Sequence, residues 1–431
     1  MPHSIVYDLS RLTTRVLNAT PNGIDRIDLL LARHFLVHDG FKTHALGLGF
    51  TGPRLLSHRT ARGVTERVAA AWREDGRKSF GSDAYESVVA RLCGQVATGS
   101  LASSRIVAAR PGRALNIAHA MFRHIPPRGR PPASAAPHGA LYINATHFPL
   151  EWKRHVAWLD QRRDIRPVFW IHDLLAIERP DWFWGREPVL HAQRLELLAQ
   201  RGAAAVVAGA SVEESLRDHL ERLGRKNLPI FQLPPPAPAV FAEPPRIDER
   251  LVKIPFFLVC GTIEPRKNHL LLLRVWRELV KKHGCDAPKL VIVGKRGWNN
   301  AAIVESLQDE ALRSHVIEVA GLPTPDYKRL LDHCRALLAP SFAEGFGLPV
   351  AEALKAGATV IASDIPPFRE QDGKNIAFLD PRSDQAWRKT VMDRVSRASP
   401  EAVAANAVDA RWPVEKSNLC RFDDFLKCLA P

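Results

Sequence analysis

The chemistry-bearing residues gather in two short runs. The first is PSFAEGFGLPVAEALKAG, residues 340–357. Gly345 and Gly347 let the backbone approach a ligand with no Cβ in the way. Pro349 suits the first position of a helix, where its missing N–H costs nothing. The amides of Gly345, Phe346, Gly347 and Leu348 would then point free donors at an anion in front of that helix. Glu344 precedes the loop, and Glu352 lies one turn into the helix, where side chains lean back toward the N-terminus. Both carboxylates would face one ligand and accept paired hydrogen bonds from vicinal hydroxyls, as on a ribose or a hexose. Taken singly, Glu352 would only complement the helix dipole and Glu344 would be a solvated loop acid. The whole string, Glu-Gly-aromatic-Gly-Leu-Pro and then Glu, is what points to a site.

The second run is CGTIEPRKN, residues 260–268, which follows an apolar strand-like segment. Ligands of doubly wound sheets bind beyond the carboxyl ends of strands. Arg266 and Lys267 would enter that crevice as a planar fork and a mobile point charge, a pair suited to a diphosphate. Each charge-assisted hydrogen bond contributes roughly 1.5–3 kcal/mol. Such groups also stabilise a developing diphosphate leaving group. In isolation, an Arg-Lys pair reads as a solvated surface pair, and its place at this strand end is what sets it apart.

The elements that must position these residues alternate between strand and helix. Short apolar runs at 5–7, 43–46, 141–144, 168–171, 204–207 and 230–232 alternate with helical patterns such as Ile24, Ile27, Leu31 and Phe35. After a proline cluster at 233–245 (LPPPAPAVFAEPP), strands are expected at 256–260, 290–293, 316–319, 336–339, 359–362 and 376–379. A helix is expected from an Asn268 cap to a Gly284 stop, with others at 325–334 and 349–356. This alternation implies an α/β protein with parallel, doubly wound sheets. The 431 residues exceed what one core usually holds, so two domains are expected. The proline cluster divides them into 1–240 and 246–398, and a helical segment at 399–431 is expected to cross back to the first. Residues 124–139, rich in Pro and Gly, read as a mobile loop.

Hydrophobic residues at 46% and charged residues at 25% exclude a disordered, collagenous or coiled-coil chain. The formal charge of +14 favours a polyanionic partner. Residues 1–150 hold 19 Lys and Arg against 9 Asp and Glu, so most of the surplus lies there. It is expected to meet anionic lipid or a lipid-diphosphate at a membrane surface. The six cysteines show no CxxC spacing, which argues against a zinc cluster or a redox motif. Scattered free thiols and no leader-like start point to the cytoplasm, peripheral on the inner face of the membrane. No apolar run reaches the roughly 18 residues of a membrane span.

Taken in order, GTIEPRKN, VIVGKRGW and PSFAEGFGLPVAEALKAG resemble the donor domain of the retaining GT-B glycosyltransferases of glycosyltransferase family 4, over about residues 256–381. The resemblance implies two Rossmann-like domains facing a cleft, a nucleotide-sugar donor, retention of anomeric configuration, no cofactor and no metal. It implies that Arg266 and Lys267 bind the diphosphate, that Glu344 meets the sugar hydroxyls and Glu352 the ribose, and that the Gly345–Leu348 amides touch donor phosphate and sugar. WIHDLLAIERP, residues 170–180, is similar to the His-Asp motif of bacterial mannosyltransferase-like members, which puts His172 and Asp173 beside the donor sugar. A His fixed by Asp173 at a strand end is the plainer alternative. Thr20-Pro21-Asn22-Gly23 resembles the loop that closes over the diphosphate, although a single Gly23 stands where many members have two, and a simple helix start reads as well. The family flavour favours mannose from GDP-mannose, passed to a glycan or a lipid-linked saccharide in bacterial surface or exopolysaccharide synthesis.

Three observations weigh the rivals. No Asp-x-Asp occurs, the motif that would hold a divalent metal on donor phosphates in the other major glycosyltransferase fold. GLGFTG at 47–52 matches a dinucleotide fingerprint, but Pro53 and an Arg-rich run follow it where a packed helix should. A nucleotide-sugar epimerase on the same fold would need further acid and base residues that no motif supplies. A nucleic-acid binder would want basic residues interleaved with aromatics, and residues 101–140 contain only Phe122, so no nucleic-acid partner is expected.

Overall fold

Two separate parallel sheets form the molecule. The computed structural model describes residues 4–15, 21–37, 41–49, 51–78, 81–95, 129–371, 373–395 and 415–429. Helices of a single turn carry no number.

The first sheet comes from β1 (Ser4–Asp8), α1 (Ser10–Arg15), α2 (Gly23–Val37), β2 (Lys42–Gly47), β3 (Arg54–Leu56), α3 (His58–Lys78), α4 (Asp83–Leu92), β4 (Leu141–Asn144), β5 (Arg166–Ile171), α5 (Glu187–Arg201), β6 (Ala204–Val207), α6 (Ala210–Arg222) and β7 (Ile230–Gln232). Among the described residues its order is β3-β2-β1-β4-β5-β6-β7. All pairs are parallel except β2 with β3. The antiparallel β3 follows the GLGFTG run directly, with Gly47 paired to Arg54. That run therefore turns a strand back and does not open a helix, as a dinucleotide site requires.

The second sheet comes from β8 (Phe256–Cys260), α7 (His269–His283), β9 (Lys289–Val293), β10 (Val316–Val319), α8 (Thr324–Leu331), β11 (Leu337–Ala339), α9 (Leu348–Lys355), β12 (Val360–Ser363), β13 (Ile376–Leu379) and α10 (Asp384–Val395), followed by α11 (Glu415–Leu429). Its order is β10-β9-β8-β11-β12-β13, parallel throughout. Strands β6 and β12 are buried at every residue, as strands covered on both faces must be.

The second core shows why the pattern folds this way. In α7, Leu271, Leu272, Val275, Trp276 and Leu279 form one buried face against β8 and β9. Each such side chain stabilises by about 1.5–3 kcal/mol. Trp276 donates its indole N–H to the Pro288 carbonyl at 2.8 Å. Gly284, at φ 56°, ends the helix after Lys281, Lys282 and His283. Asn268 sits at the cap position but does not cap. Its backbone is left-handed, and its amide donates to the carbonyls of Pro340 and Pro381 at 3.0 and 2.9 Å. It thereby ties the start of α7 to two strand-end loops of the site.

Space does not follow the chain everywhere. Helix α11 packs on the first sheet, with Phe422 and Leu426 fully buried beside Phe35 and Asp423 bonded to His34 at 2.7 Å. Helix α4 lies on the second sheet. Its Tyr85, Val88, Val89 and Leu92 stripe joins Ile317 and Val319 in one core. The Gly81 and Ser82 amides donate to Asp326 at 3.1 Å, and Tyr85 donates to Asp248 at 2.9 Å. The expected first domain over 1–240 is thus interrupted, because this apolar stripe finds its cover at β10. The proline cluster at 233–245 is packed as well: Phe241 is buried against Tyr327, and the Lys355 ammonium donates to the Ala237 carbonyl at 2.8 Å. In the expected loop at 124–139, residues 124–128 lie outside the described ones. Pro132 starts a helical turn, Pro132–Ala135, in the remainder, at the position where proline favours one. Most of the Arg-rich stretch at 101–150 also lies outside the described residues, and with it part of the basic surplus expected to meet a membrane. No described helix is long and apolar enough to cross a membrane.

Candidate functional site

The carboxyl ends of both sheets face each other, and the sequence-expected residues meet there. Beyond β8, Arg266 and Lys267 lie in a 3-10 turn, Pro265–Lys267. Beyond β11, Glu344 lies in the loop before α9. The Arg266 guanidinium donates to Glu344 Oε2 at 2.7 Å, the Lys267 ammonium contacts Glu344 Oε1, and the Ser341 hydroxyl donates to the same oxygen at 2.7 Å. Burial alone would raise the Glu344 carboxyl. Lys267 and Arg266 prevail and hold it at about 2, so it is ionised at neutral pH. On its other side Arg266 meets Glu264 at 2.7 Å. Burial pushes Glu264 up against the pull of Arg266 and Lys267, and its Oε2 is buried with no protein partner. Two cations thus sit between two buried carboxylates. Arg266 and Lys267 were expected to face a diphosphate; in the structure they grip the acid expected to hold the sugar.

Glu352 sits apart from this cluster, so the two carboxylates do not share one set of partners. It is buried in α9, where burial raises its carboxyl and Arg26 opposes the rise. Arg26 comes from α2 of the first domain. Its Nη1 donates to Glu352 Oε1 at 2.5 Å, and its Nη2 donates to the Thr324 hydroxyl at 3.1 Å. A reciprocal capping box starts α2: the Asp25 N–H donates to Asn22 Oδ1 at 2.9 Å and the Asn22 N–H to Asp25 Oδ2 at 3.1 Å. Residues 21–23 therefore form a helix start, and Thr20 lies outside the described residues. Gly23 opens that helix so close to the other domain that a Cβ there would lie 2.4 Å from Leu348 Cδ1.

The loop from Gly345 to Leu348 is shaped by contact. A Cβ on Gly345 would lie 2.4 Å from the His172 carbonyl oxygen and 3.0 Å from Asp173 Cβ. Gly347 is left-handed at φ 86°, and its Cβ would strike Phe368 at 2.4 Å. Gln371 donates its amide to the Phe346 carbonyl at 2.5 Å, which fixes the turn. Helix α9 begins at Leu348; Pro349 has no N–H and the Val350 N–H donates to the Gly347 carbonyl at 2.9 Å, so in its first turn the Leu348 amide is the one without a partner in the helix.

His172 and Asp173, at the end of β5, close the site from the first domain. His172 Nε2 lies 2.9 Å from the Ala145 carbonyl. A carbonyl only accepts, so Nε2 carries the proton and Nδ1 is the acceptor nitrogen. Loss of solvent lowers the ring to about 3 against the opposing Ala145 carbonyl, which leaves it neutral at neutral pH. Asp173 does not hold this ring; its carboxylate accepts from the Leu175 N–H at 3.1 Å. His147 adjoins His172, 5.1 Å from it centroid to centroid, and His191 in turn adjoins His147 at 5.2 Å. Asn144 carries this loop, accepting from the His147 N–H at 2.9 Å and donating to Asp8 at 3.0 Å.

Of the eleven expected site residues, the structure brings Glu344, Arg266 and Lys267 into direct contact and sets His172, Asp173 and Gly345 against one another. Glu352, Gly23 and Leu348 form a second contact across the cleft, joined to the first through Phe346 and Gly347. Arg26, Ser341, Glu264 and His147 were not singled out. Ser341 and Glu264 stood inside the quoted runs, three residues before Glu344 and two before Arg266. Arg26 had only its place one turn after Gly23 to mark it. The hollow bordered by Cys260, Lys267, Ser341, Glu344 and Phe368 measures about 10 Å³. Among the described residues no group of three or more His, Cys, Asp or Glu is placed to hold a metal ion.

Residues 245–406 match the family described as Glycosyl transferases group 1. Over 228 residues the chain is 30% identical to the serotype-specific mannosyltransferase WbdA of Escherichia coli, covering 47% of this chain and 26% of that protein. It is 30% identical over 149 residues to O-antigen chain mannosyltransferase B of Escherichia coli, covering 35% and 39%. The chain thus spans well under half the length of these two relatives. Among solved structures, Alr3699/HepE of Anabaena in complex with UDP-glucose superposes with a TM-score of 0.61 at 12% identity over 99% of each chain. That likeness is one of fold. With the two facing parallel sheets it makes this molecule a GT-B fold, in which residues 245–406 match the group 1 glycosyl transferases.

Proposed function

We propose that the chain is a retaining hexosyltransferase that moves mannose from GDP-mannose to a growing glycan or lipid-linked saccharide. The observation that carries this reading is the Glu344 carboxylate clasped by Arg266 and Lys267, opposite His172 and Asp173, at the strand ends of a GT-B fold. The mannosyl donor is supported by the names of the relatives, a serotype-specific mannosyltransferase and two O-antigen chain mannosyltransferases.

In this reading the donor diphosphate draws Arg266 and Lys267 from Glu344 and takes a further hydrogen bond from the Leu348 amide at the start of α9. Glu344, ionised and released, accepts hydroxyls of the sugar, and His172 offers Nδ1 as a second acceptor. Glu352 accepts the ribose hydroxyls once Arg26 lets go. The bond from the anomeric carbon to the diphosphate oxygen breaks, and the acceptor hydroxyl oxygen bonds to that carbon on the same face. The acceptor proton passes to the departing phosphate oxygen. Arg266 and Lys267 stabilise the charge on the leaving group, in surroundings where water screens it little.

The test is a thermal-shift panel of GDP-, UDP-, dTDP- and ADP-sugars, followed by transfer assays. A ligand raises the melting temperature according to its concentration relative to Kd. GDP-mannose should give the largest shift, and Glu344→Ala and Lys267→Ala should each abolish transfer while remaining folded. Silence across the panel, or full activity in either variant, would sink the assignment.

A further inference from the structure

A second cavity lies beside the cation cluster and plays no part in the donor chemistry. It measures about 480 Å³, within the roughly 300–1,000 Å³ of small-molecule sites. Arg179 and Trp182, which follow β5 in the first domain, form one wall. Phe342, Asp364, Asp380 and Arg382, at the ends of β11, β12 and β13, form the other. The Phe342 N–H donates to the Arg266 carbonyl at 2.8 Å, so the cavity shares a wall with the cluster around Glu344.

Its lining has two properties. Aromatic rings are open to solvent here: Phe342 stacks on Trp182 at 6.2 Å yet stays 37% exposed. Its charges also balance, two guanidiniums against two carboxylates. Arg179 is held by Asp181 at 3.0 Å and lies over the Trp182 ring at 3.9 Å, and Asp364 is held by Arg369 at 2.7 Å. Among the described residues the Arg382 side chain has no partner, and the Asp380 carboxylate accepts only from the Arg382 N–H, at 2.9 Å.

We propose that this groove binds the sugar units of the acceptor, a neutral oligosaccharide chain. Pyranose rings present a C–H face that buries well on an aromatic plane, whose quadrupole attracts it. Their vicinal hydroxyls pair with the forks of Asp380 and Arg382. A groove without net charge gives no purchase to a diphosphate, in contrast to the neighbouring cations. The term acceptor rests on the transferase reading; the sugar site itself does not.

The test is a tryptophan-fluorescence titration of the full chain with unbranched mannose oligosaccharides of two to six units. The parent should bind saturably, more tightly with length. Phe342→Ala and Arg382→Ala, both at exposed positions, should each weaken binding by about ten-fold and leave the GDP-mannose thermal shift unchanged. An oligouronate of equal length should bind no better than the neutral chain. Binding that both variants retain overturns the proposal, as does a parent that answers GDP-mannose and no oligosaccharide. Oligosaccharide binding without any nucleotide response would instead overturn the transferase reading and leave the sugar site standing.

Discussion

Glu344 is the residue on which the site's electrostatics turn. A carboxylate removed from water normally takes up a proton, yet this one is held at about 2, below its ordinary 4.5, by Lys267 and Arg266. The depressed folded value fixes the sign of the pH dependence. The ionised pair contributes stability that is complete above about pH 4.5 and is lost as the pH falls toward 2, roughly 3 kcal/mol in all. Glu344→Gln keeps the shape and deletes the charge. It should be less stable than the parent by about 3 kcal/mol at neutral pH, with the gap closing in acid. Urea denaturation of both proteins at pH 7, 5 and 3 measures this; a gap that stays constant would show that the cations do not depend on this carboxylate.

At the scale of elements, the site is two strand-end loops pressed together, and Gly345 is where they touch. Its backbone is not left-handed, so alanine brings no local strain, but the new Cβ would meet the His172 carbonyl and Asp173 Cβ, which cannot swing aside. The clash falls on the contact between domains and spares the fold of each. Gly345→Ala should keep its melting temperature within a few degrees and lose transfer by about 100-fold, the cost of misplacing reacting groups by an ångström. Gly347→Ala is the contrast: at φ 86° it should lose stability itself, by about 1–2 kcal/mol. Transfer at parental rates by Gly345→Ala would mean the loops need not meet. The strands behind these loops were legible because buried parallel strands read as short apolar runs, and Phe256–Cys260 and Ile376–Leu379 lie where that pattern put them. The Arg266-Lys267 run and the Glu-Gly loop were legible as strand-end loops because each is local. Arg26 was not, since its partner is 326 residues away and an Arg on a helix face looks like solvated charge. Nor was α4, whose apolar stripe is plain in sequence but does not say which sheet will cover it.

The whole molecule is closed more tightly than the proposed donor chemistry allows. Arg26 reaches Glu352, Glu370 accepts from the Ala210 and Ser211 amides at the start of α6 at 2.8 and 2.6 Å, and Trp298 donates to the Trp182 carbonyl at 2.7 Å. All three links run from one domain to the other. The hollow they enclose near Glu344, about 10 Å³, is at the threshold for a single water, whereas a ligand of nucleotide-sugar size needs some hundreds of Å³. The domains must therefore part before a donor enters, and the links set how often they do. Removing two of them, at roughly 1 kcal/mol each, shifts the balance toward the open form by about thirty-fold. The double variant Arg26→Ala with Glu370→Ala should show a larger radius of gyration by small-angle scattering and faster association of the donor nucleotide. Adding that nucleotide should shrink it again, because Arg266 and Lys267 of the second domain and His172 of the first remain to meet on a shared ligand. A variant with the parental radius and association rate would mean that the cleft is held shut elsewhere, with α4 as the next element to test. Reaching from α3 onto the second sheet and anchored at Asp326, it is a tether that no donor-site substitution touches.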